Sequence, residues 1–394
     1  MDHDKFKKII ESCHLNFLIG SGASRNYFAT LGNVEELLTE LSEQPASKER
    51  DIVEVSIKKD YFDKAISGNL FIHNSGGLTD PDRIDDLEKT KTNYRDFLIA
   101  LNIILLRRRS NIISRQVNLF TTNMDIFLDC TLESVNLEYN DGFSGKINPV
   151  FSTSNYHKSI FQKSPHYDNK AELPLFNLYK MHGSVTWKSD TNQIAFDSQL
   201  QLIREINKID IKKKLIEEFW NGDQLKSISV LLTEAGKLEE DKSFTEFLNA
   251  YNKLEIINPT KEKFNTTTIQ YNFYELLRMY SNELEKENSV LFVFGFSFAD
   301  EHIREITKRV ANSNPTLLIC VFAYDDQAKK DIEEKLHFED IKFKNIEIVI
   351  GGTLSDLNND WFKNLAVELD ADQYAVKKSD ITVNVSLPQQ ADKV

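Results

Sequence analysis

The 394-residue sequence predicts an α/β protein with a mostly parallel sheet, helices on both of its faces and an inserted helical subdomain. Three observations predict it. Short apolar runs are separated by long helical or irregular stretches, as parallel strands require, because their crossovers need a dozen or more residues. The first run, Cys13 to Ile19, ends in Gly20-Ser21-Gly22-Ala23-Ser24, which reads as a strand, a glycine turn and the start of a helix. Finally, a hydrophobic share of 41% with only 14 Gly and 8 Pro describes a folded, helix-rich chain.

Further strand candidates follow in order: Val117–Thr121, Leu175–Met181, Val290–Phe294, Thr316–Phe322 and Ile346–Ile350. Each is short and apolar, as in a strand buried on both faces, so the fold class is Rossmann-like. Two helix-rich blocks interrupt them. The first spans about 34–109, broken by the turn-like His73-Asn-Ser-Gly-Gly77, and ends in Arg107, Arg108 and Arg109, cations that suit the last turn of a helix. The second spans about 198–286. Within it Leu200, Ile203, Ile206 and Ile209, then Phe244, Phe247, Leu248 and Tyr251, recur at helical spacing as core or partner-facing stripes. The organisation expected is a catalytic domain over 1–355 and a C-terminal helix and tail over 356–394, a candidate assembly segment. In that tail Ile381 to Leu387 alternates apolar and polar residues, the pattern of an edge strand added to its own domain or to a neighbour.

A formal charge of −13 argues against broad attraction to nucleic acid, which draws on basic surface. The charged N-terminus, Met1-Asp-His-Asp-Lys, lacks the apolar core of a signal peptide, and the longest apolar runs fall short of the ~20 residues that span a bilayer. Cys13, Cys130 and Cys320 are an odd set at distant spacings, which suggests neither a disulfide framework nor a zinc site. A soluble, cytoplasmic protein without metal or membrane is expected.

Four motifs carry chemistry. In Gly20–Ser24, glycines let backbone N–H groups approach a diphosphate, although such turns also end strands for steric reasons alone. In Thr121-Thr-Asn-Met-Asp125, at the carboxyl end of a strand, Asn123 and Asp125 point to the same side; one suits a ribose hydroxyl or water, the other a carboxamide. The bland alternative makes Asn123 the cap of a following helix. In Lys180-Met-His-Gly-Ser184, His182 alone of eight histidines ends a strand and precedes Gly, a place for a general base or for a structural imidazole. In Gly295-Phe-Ser297-Phe-Ala-Asp300-Glu-His302, Gly295 and Ser297 suit phosphate or ribose; Asp300 reads first as a helix cap and His302 as a first-turn surface residue.

Together and in this order, the motifs resemble the sirtuin family, specifically its bacterial defence-associated branch. Gly20–Ser24 looks like the family's G-A-G-A-S loop, Thr121–Asp125 like T-x-N-x-D, His182-Gly183 like the catalytic H-G pair and Gly295-x-Ser297 like the later G-x-S loop. Ile257–Phe264 and Tyr274-Glu-Leu-Leu-Arg278 also resemble that branch, and the likeness covers roughly 10–355. Two departures stand out. No Cys lies between His182 and Cys320, so the paired cysteines of the deacylases' zinc ribbon are missing, and Arg25–Asn33 replaces the G-I-P-x-F-R stretch.

The resemblance implies NAD as substrate, no zinc, and hydrolysis to nicotinamide and ADP-ribose. Asn123 would position the ribose or water, Asp125 the carboxamide, and His182 would be the base; Gly20, Ser21, Gly22, Ala23, Ser24, Thr121, Gly295 and Ser297 would bind the dinucleotide. It further implies NAD depletion in antiphage defence by abortive infection, a homo-oligomer, and a HerA-type hexameric ATPase as partner. The helical stripes of 200–255 and the C-terminal strand would be contact surfaces. Two other functions fit the same residues: a silent NAD- or ADP-ribose-binding regulatory subunit, and an ADP-ribosyltransferase.

Overall fold

The computed structural model describes residues 2–29, 32–108, 113–190, 193–211, 215–216, 219–221, 224–239, 241–256 and 267–379. Its centre is a seven-stranded sheet: β1 (His14–Ile19), β2 (Gln116–Thr121), β3 (Tyr139–Asn140), β4 (Leu175–Lys180), β5 (Ser289–Phe294), β6 (Leu318–Ala323) and β7 (Ile346–Ile350). The strand order is β7-β6-β5-β1-β2-β4-β3, and every pair is parallel. All six expected strands are present within a residue or two of their expected ends; β3, a two-residue edge, is the addition.

Alternation along the strands fills two cores, as period 2 demands. Phe17, Leu119, Leu178 and Phe292 face helices His3–Ser12 and Pro81–Arg107, with Phe362 and Leu365 from the C-terminal segment. Leu18, Phe120, Tyr179 and Val293 face helices Thr267–Glu285, Glu301–Ser313 and Asp326–Leu336. The Phe17 ring lies 5.4 Å from Phe97, 5.2 Å from Phe292 and 5.6 Å from Phe362. Burying each such side chain is worth ~1.5–3 kcal/mol.

One polar row crosses the second face. Asn16, Asn118, Asn177 and Asn140 are in register on four neighbouring strands. Asn177 Nδ2 donates to Asn118 Oδ1 at 3.0 Å, Asn118 Nδ2 to Asn16 Oδ1 at 2.8 Å, and Asn16 Nδ2 to the carbonyl of Val290 at 3.2 Å.

The insertions are helical as expected, but not only helical. Block 34–109 yields helices Gly32–Ser42, Lys48–Tyr61 and Pro81–Arg107; Asp80 caps the last through the amide of Asp82, with Pro81 at the first helical position. Arg109 lies outside the described residues. Arg107 pairs with Asp370 at 2.6 Å. Arg108 is the C-cap of helix Pro81–Arg107: it is buried, donates to the carbonyls of Ile10 and Cys13, and burial pulls its guanidinium down to about 10.

Block 198–286 holds helices Gln201–Asn207, Ile228–Ala235, Lys242–Tyr251 and Thr267–Glu285, yet also a short hairpin, Trp220–Asn221 with Gln224–Leu225, and strand Leu254–Ile256. Its apolar stripes are not partner surfaces. Leu200, Ile203, Ile206, Phe244, Phe247 and Tyr251 are buried in the chain's own core, with Ile209 and Leu248 packed against it. A second sheet, absent from the sequence reading, orders Leu254–Ile256, Gly183–Asp190, Gln193–Phe196, Val150–Phe151 and Phe143–Ser144 in antiparallel pairs. Helix Asn364–Ser379 continues the chain's own core through Leu365, Ala366 and Leu369; the strand pattern of 381–387 and the motif of 257–264 lie outside the described residues.

Candidate active site

Register decides what meets at the carboxyl rim of the sheet. Ile19 pairs with Phe294 on one side and Thr121 on the other, and Thr121 pairs with Lys180. Gly20, Thr122, Met181 and Gly295 therefore leave four adjacent strands at one height. The chain runs outward from β1 to β2 and β4, then returns to place β5 on the other side of β1. Such a reversal opens a crevice at the strand ends, where ligands of open α/β sheets bind.

The crevice is a cavity of about 560 Å³. That volume lies within the ~300–1,000 Å³ typical of small-molecule sites. Ser21, Gly22, Ala23, Ser24, Asn123, Asp125, His182, Gly295 and Ser297 all line it. Two expected residues do not. Gly20 packs behind the rim, and Thr121 is fully buried: its Oγ1 donates to the carbonyl of Ile19 at 2.9 Å and accepts from the Asn123 amide at 3.0 Å, bracing the Asn123 loop against β1.

The glycine loop differs from the expected helix start. Residues Ser21–Ser24 form one 3-10 turn, and the next helix begins only at Gly32. Three of its amides are spent inside the protein: Gly20 N donates to Phe294 O, Gly22 N to Gly295 O, and Ala23 N to Gly20 O. The glycines are needed for contact with β5. A Cβ on Gly20 would stand 2.3 Å from the carbonyl oxygen of Gly295, and one on Gly22 2.7 Å from its Cα. Gly295 itself has φ +64°, a left-handed conformation that favours glycine.

Ser24 is the hub of the buried wall. Its hydroxyl donates to Asp125 Oδ2 at 2.9 Å, lies 2.9 Å from the Tyr94 hydroxyl, and accepts from Asn123 Nδ2 at 3.4 Å. Asp125 Oδ1 accepts the Phe127 amide at 3.1 Å, so Asp125, not Asn123, serves the start of helix Phe127–Ser134. Asn123 lines the cavity, and its buried Oδ1 has no hydrogen-bond partner among the described residues. Burial pushes the Asp125 carboxyl above its ordinary value, and the nearby Lys180 ammonium pulls it partly back. Lys180, itself buried, donates to the Asp125 carbonyl and pairs with Asp129 at 2.7 Å.

His182 stands where β4 passes into the second sheet. Gly183 must follow it, since a Cβ there would meet the Glu255 carbonyl at 2.2 Å and its φ is +78°. His182 Nε2 lies 3.1 Å from Asp300 Oδ2, an ion-pair distance short of hydrogen-bond alignment. Asp300 also caps helix Glu301–Ser313, accepting the Ile303 amide through Oδ1 at 3.1 Å, while His302 is exposed on the first turn. Among the described residues, two cations line the cavity besides. Arg25 lies over the Tyr324 ring at 4.3 Å, and Lys335 Nζ donates to the Ser297 carbonyl at 3.3 Å.

Sequence reasoning missed Tyr94, Asp129, Arg25 and Lys335 and gave Lys180 no role. Tyr94 sits in an apolar helical stripe that reads as core. Lys180 did leave a signal: a lysine closing the apolar strand Leu175–Lys180 needs a buried partner.

A parallel α/β sheet with two glycine loops back to back, and an amide, a carboxylate and an imidazole on one crevice at its strand ends, is the arrangement of a ligand-binding α/β protein. The chain belongs to the SIR2-like domain family, whose model matches residues 117–346, more than half of the sequence. No curated protein matches it. The match begins inside β2, so it takes in Asn123, Asp125, His182, Gly295 and Ser297, whereas the Gly20–Ser24 loop enters through structure alone. Members of this family are NAD-dependent enzymes that use NAD as substrate. Among the described residues no helix is long and apolar enough to cross a membrane, and no three His, Cys, Asp or Glu side chains gather as a metal site.

Proposed function

We propose that the chain is an NAD glycohydrolase, releasing nicotinamide and ADP-ribose. The observation that carries this reading is the convergence of Asn123, Asp125, Ser24, His182 and Ser297 on one cavity. NAD lies along the crevice with its nicotinamide ribose toward Asn123 and His182. Asn123 Oδ1 accepts from a ribose hydroxyl or the attacking water. Asp125 takes the carboxamide on lone pairs that Ser24 and Phe127 leave, since a carboxylate accepts about four hydrogen bonds.

Because Gly20, Gly22 and Ala23 spend their amides internally, Arg25 and Lys335 supply charge to the diphosphate, beside Ser21 and Ser297. Breaking the glycosidic bond leaves positive character at the anomeric carbon while neutral nicotinamide departs with the bonding pair. Water closes on that carbon and His182 accepts its proton. Such general-base help is worth ~10²–10⁴-fold. Deacylation has less support, as the sequence lacks the paired cysteines of a zinc ribbon between His182 and Cys320.

In the cell the reading extends to NAD depletion as an antiphage response in the cytoplasm, with activity gated by homo-oligomerisation or a HerA-type ATPase. The catalytic domain is taken as 1–355 and the segment 356–394 as the assembly end, although Phe362, Leu365, Ala366 and Leu369 of that segment pack into the domain's own core. With the stripes of 200–255 buried, the contact surface has to be sought elsewhere. The test is purified chain with NAD, alone and with such an ATPase, following nicotinamide by chromatography with Asn123→Ala as control. Nicotinamide and free ADP-ribose in equal amounts, both abolished by Asn123→Ala, support hydrolysis. Nucleotide binding without release means a regulatory subunit, and labelled acceptor without free ADP-ribose means a transferase.

A further inference from the structure

The sequence gives Asp300 a sufficient occupation as a helix cap, yet the structure gives it a second. Its two carboxylate oxygens face different tasks. Oδ1 holds the Ile303 amide at 3.1 Å, which fixes the carboxylate on the end of helix Glu301–Ser313. Oδ2 lies 3.1 Å from His182 Nε2. The pair joins two motifs more than a hundred residues apart, one after β4 and one after β5, and both residues line the same cavity. Asp300 is buried, and the imidazole is mostly covered, with the Phe273 ring 6.1 Å away.

We infer that Asp300 is the positioning residue for His182: its carboxylate draws the Nε2–H and so presents Nδ1, with its lone pair, to the reacting ribose or water. The catalytic consequence rests on the NAD-hydrolase reading; the orientation of the ring does not. The present contact is misaligned as a hydrogen bond, and hydrogen bonds of catalytic groups often tighten only when substrate is bound. As water adds to the anomeric carbon, a C–O bond replaces the C–N bond, whose electron pair leaves on nicotinamide. The water proton moves to Nδ1, and Asp300 steadies the imidazolium that results. Solvent then takes the proton and resets the ring. A carboxylate that orients an imidazole by its far nitrogen selects the tautomer as well as the direction.

Asp300→Asn separates this role from capping. Asparagine caps helices as well as aspartate does, but its amide offers the imidazole a donor as readily as an acceptor. The test uses full chain labelled with ¹⁵N-histidine, with the His182 signals assigned by their loss in His182→Gln. The parent should show His182 as the Nε2–H tautomer with nicotinamide bound, and Asp300→Asn should shift it toward Nδ1–H. In the same variant kcat for nicotinamide release should fall about 100-fold or more, KM for NAD should stay within about threefold and the melting temperature should not move. Asp300→Ala should lose the cap too and melt lower. An unchanged tautomer with unchanged kcat in Asp300→Asn would leave Asp300 a cap alone. If the parent chain releases no nicotinamide, the hydrolase reading fails while the ¹⁵N result still decides the orientation of His182.

Discussion

Ser24 and Asp125, a hundred residues apart in sequence, share a buried hydrogen bond of 2.9 Å that ties the loop after β1 to the loop after β2. The link is shared, because the same hydroxyl also meets Tyr94 and Asn123.

Ser24→Ala should therefore damage more than one contact. It removes one partner each from the Tyr94 hydroxyl, the Asn123 amide and one Asp125 oxygen. An unsatisfied buried group costs ~1–3 kcal/mol. The expected outcome is a melting temperature lowered by several degrees and nicotinamide release reduced at least tenfold. Calorimetry and chromatography on the same preparation check it, and a variant with parental turnover would remove Ser24 from the site.

Gly295→Ala tests the contact between the two glycine loops. The new methyl would lie 2.4 Å from the Ala23 nitrogen, against backbone that has no rotamer to yield, and φ +64° adds strain. Residues forced into such a conformation cost ~1–3 kcal/mol before any clash. The loops must part. We expect NAD affinity, read by calorimetric titration, to fall at least tenfold even in folded protein.

Lys180→Met should strand Asp129 and strip the Asp125 carbonyl of its donor. Removing one member of a buried pair typically costs ~3–5 kcal/mol, whereas replacing both by apolar groups is often tolerated. Urea unfolding should show a large loss in Lys180→Met and a substantial recovery in Lys180→Met with Asp129→Leu. Equal losses in the two would mean that the ion pair is not the reason.

Asp125 gives a pH dependence whose sign is fixed. Its folded carboxyl is raised above the ordinary 3.8 by burial, so the folded state holds that proton more tightly than the unfolded chain does. Stability from this group is full below the unfolded value and is lost as pH climbs through the raised folded one. Asp125→Asn is free of that loss. Relative to the parent, it should gain stability as pH climbs above the ordinary carboxyl value in urea unfolding, and a gap that closes with rising pH would contradict the assignment.

The sheet was legible because buried parallel strands must be short apolar runs: β1, β2, β4, β5, β6 and β7 all advertise themselves. The rim was legible because glycine turns, Asn123 and His182 sit directly at strand ends. The second sheet was not. Its pieces, such as Val150–Phe151 and Phe143–Ser144, are too short to show period 2 and owe their pairing to contacts across the chain. Tyr94 hid within a helical stripe, and Asp300 hid behind a sufficient local explanation. A cap can be read from four consecutive residues; an imidazole brought from another strand cannot.

The row of asparagines on β1, β2, β4 and β3 has a consequence for assembly. Asn16 lies three residues, about 10 Å, before the end of β1, so the amide row and the carboxyl rim of the sheet are rigidly indexed to each other. A strand that slid by one position would turn its amide into the opposite hydrocarbon layer and break the hand-to-hand chain of donors. Misaligned sheets are thus penalised toward the far end of the strands, away from the crevice whose geometry depends on the register.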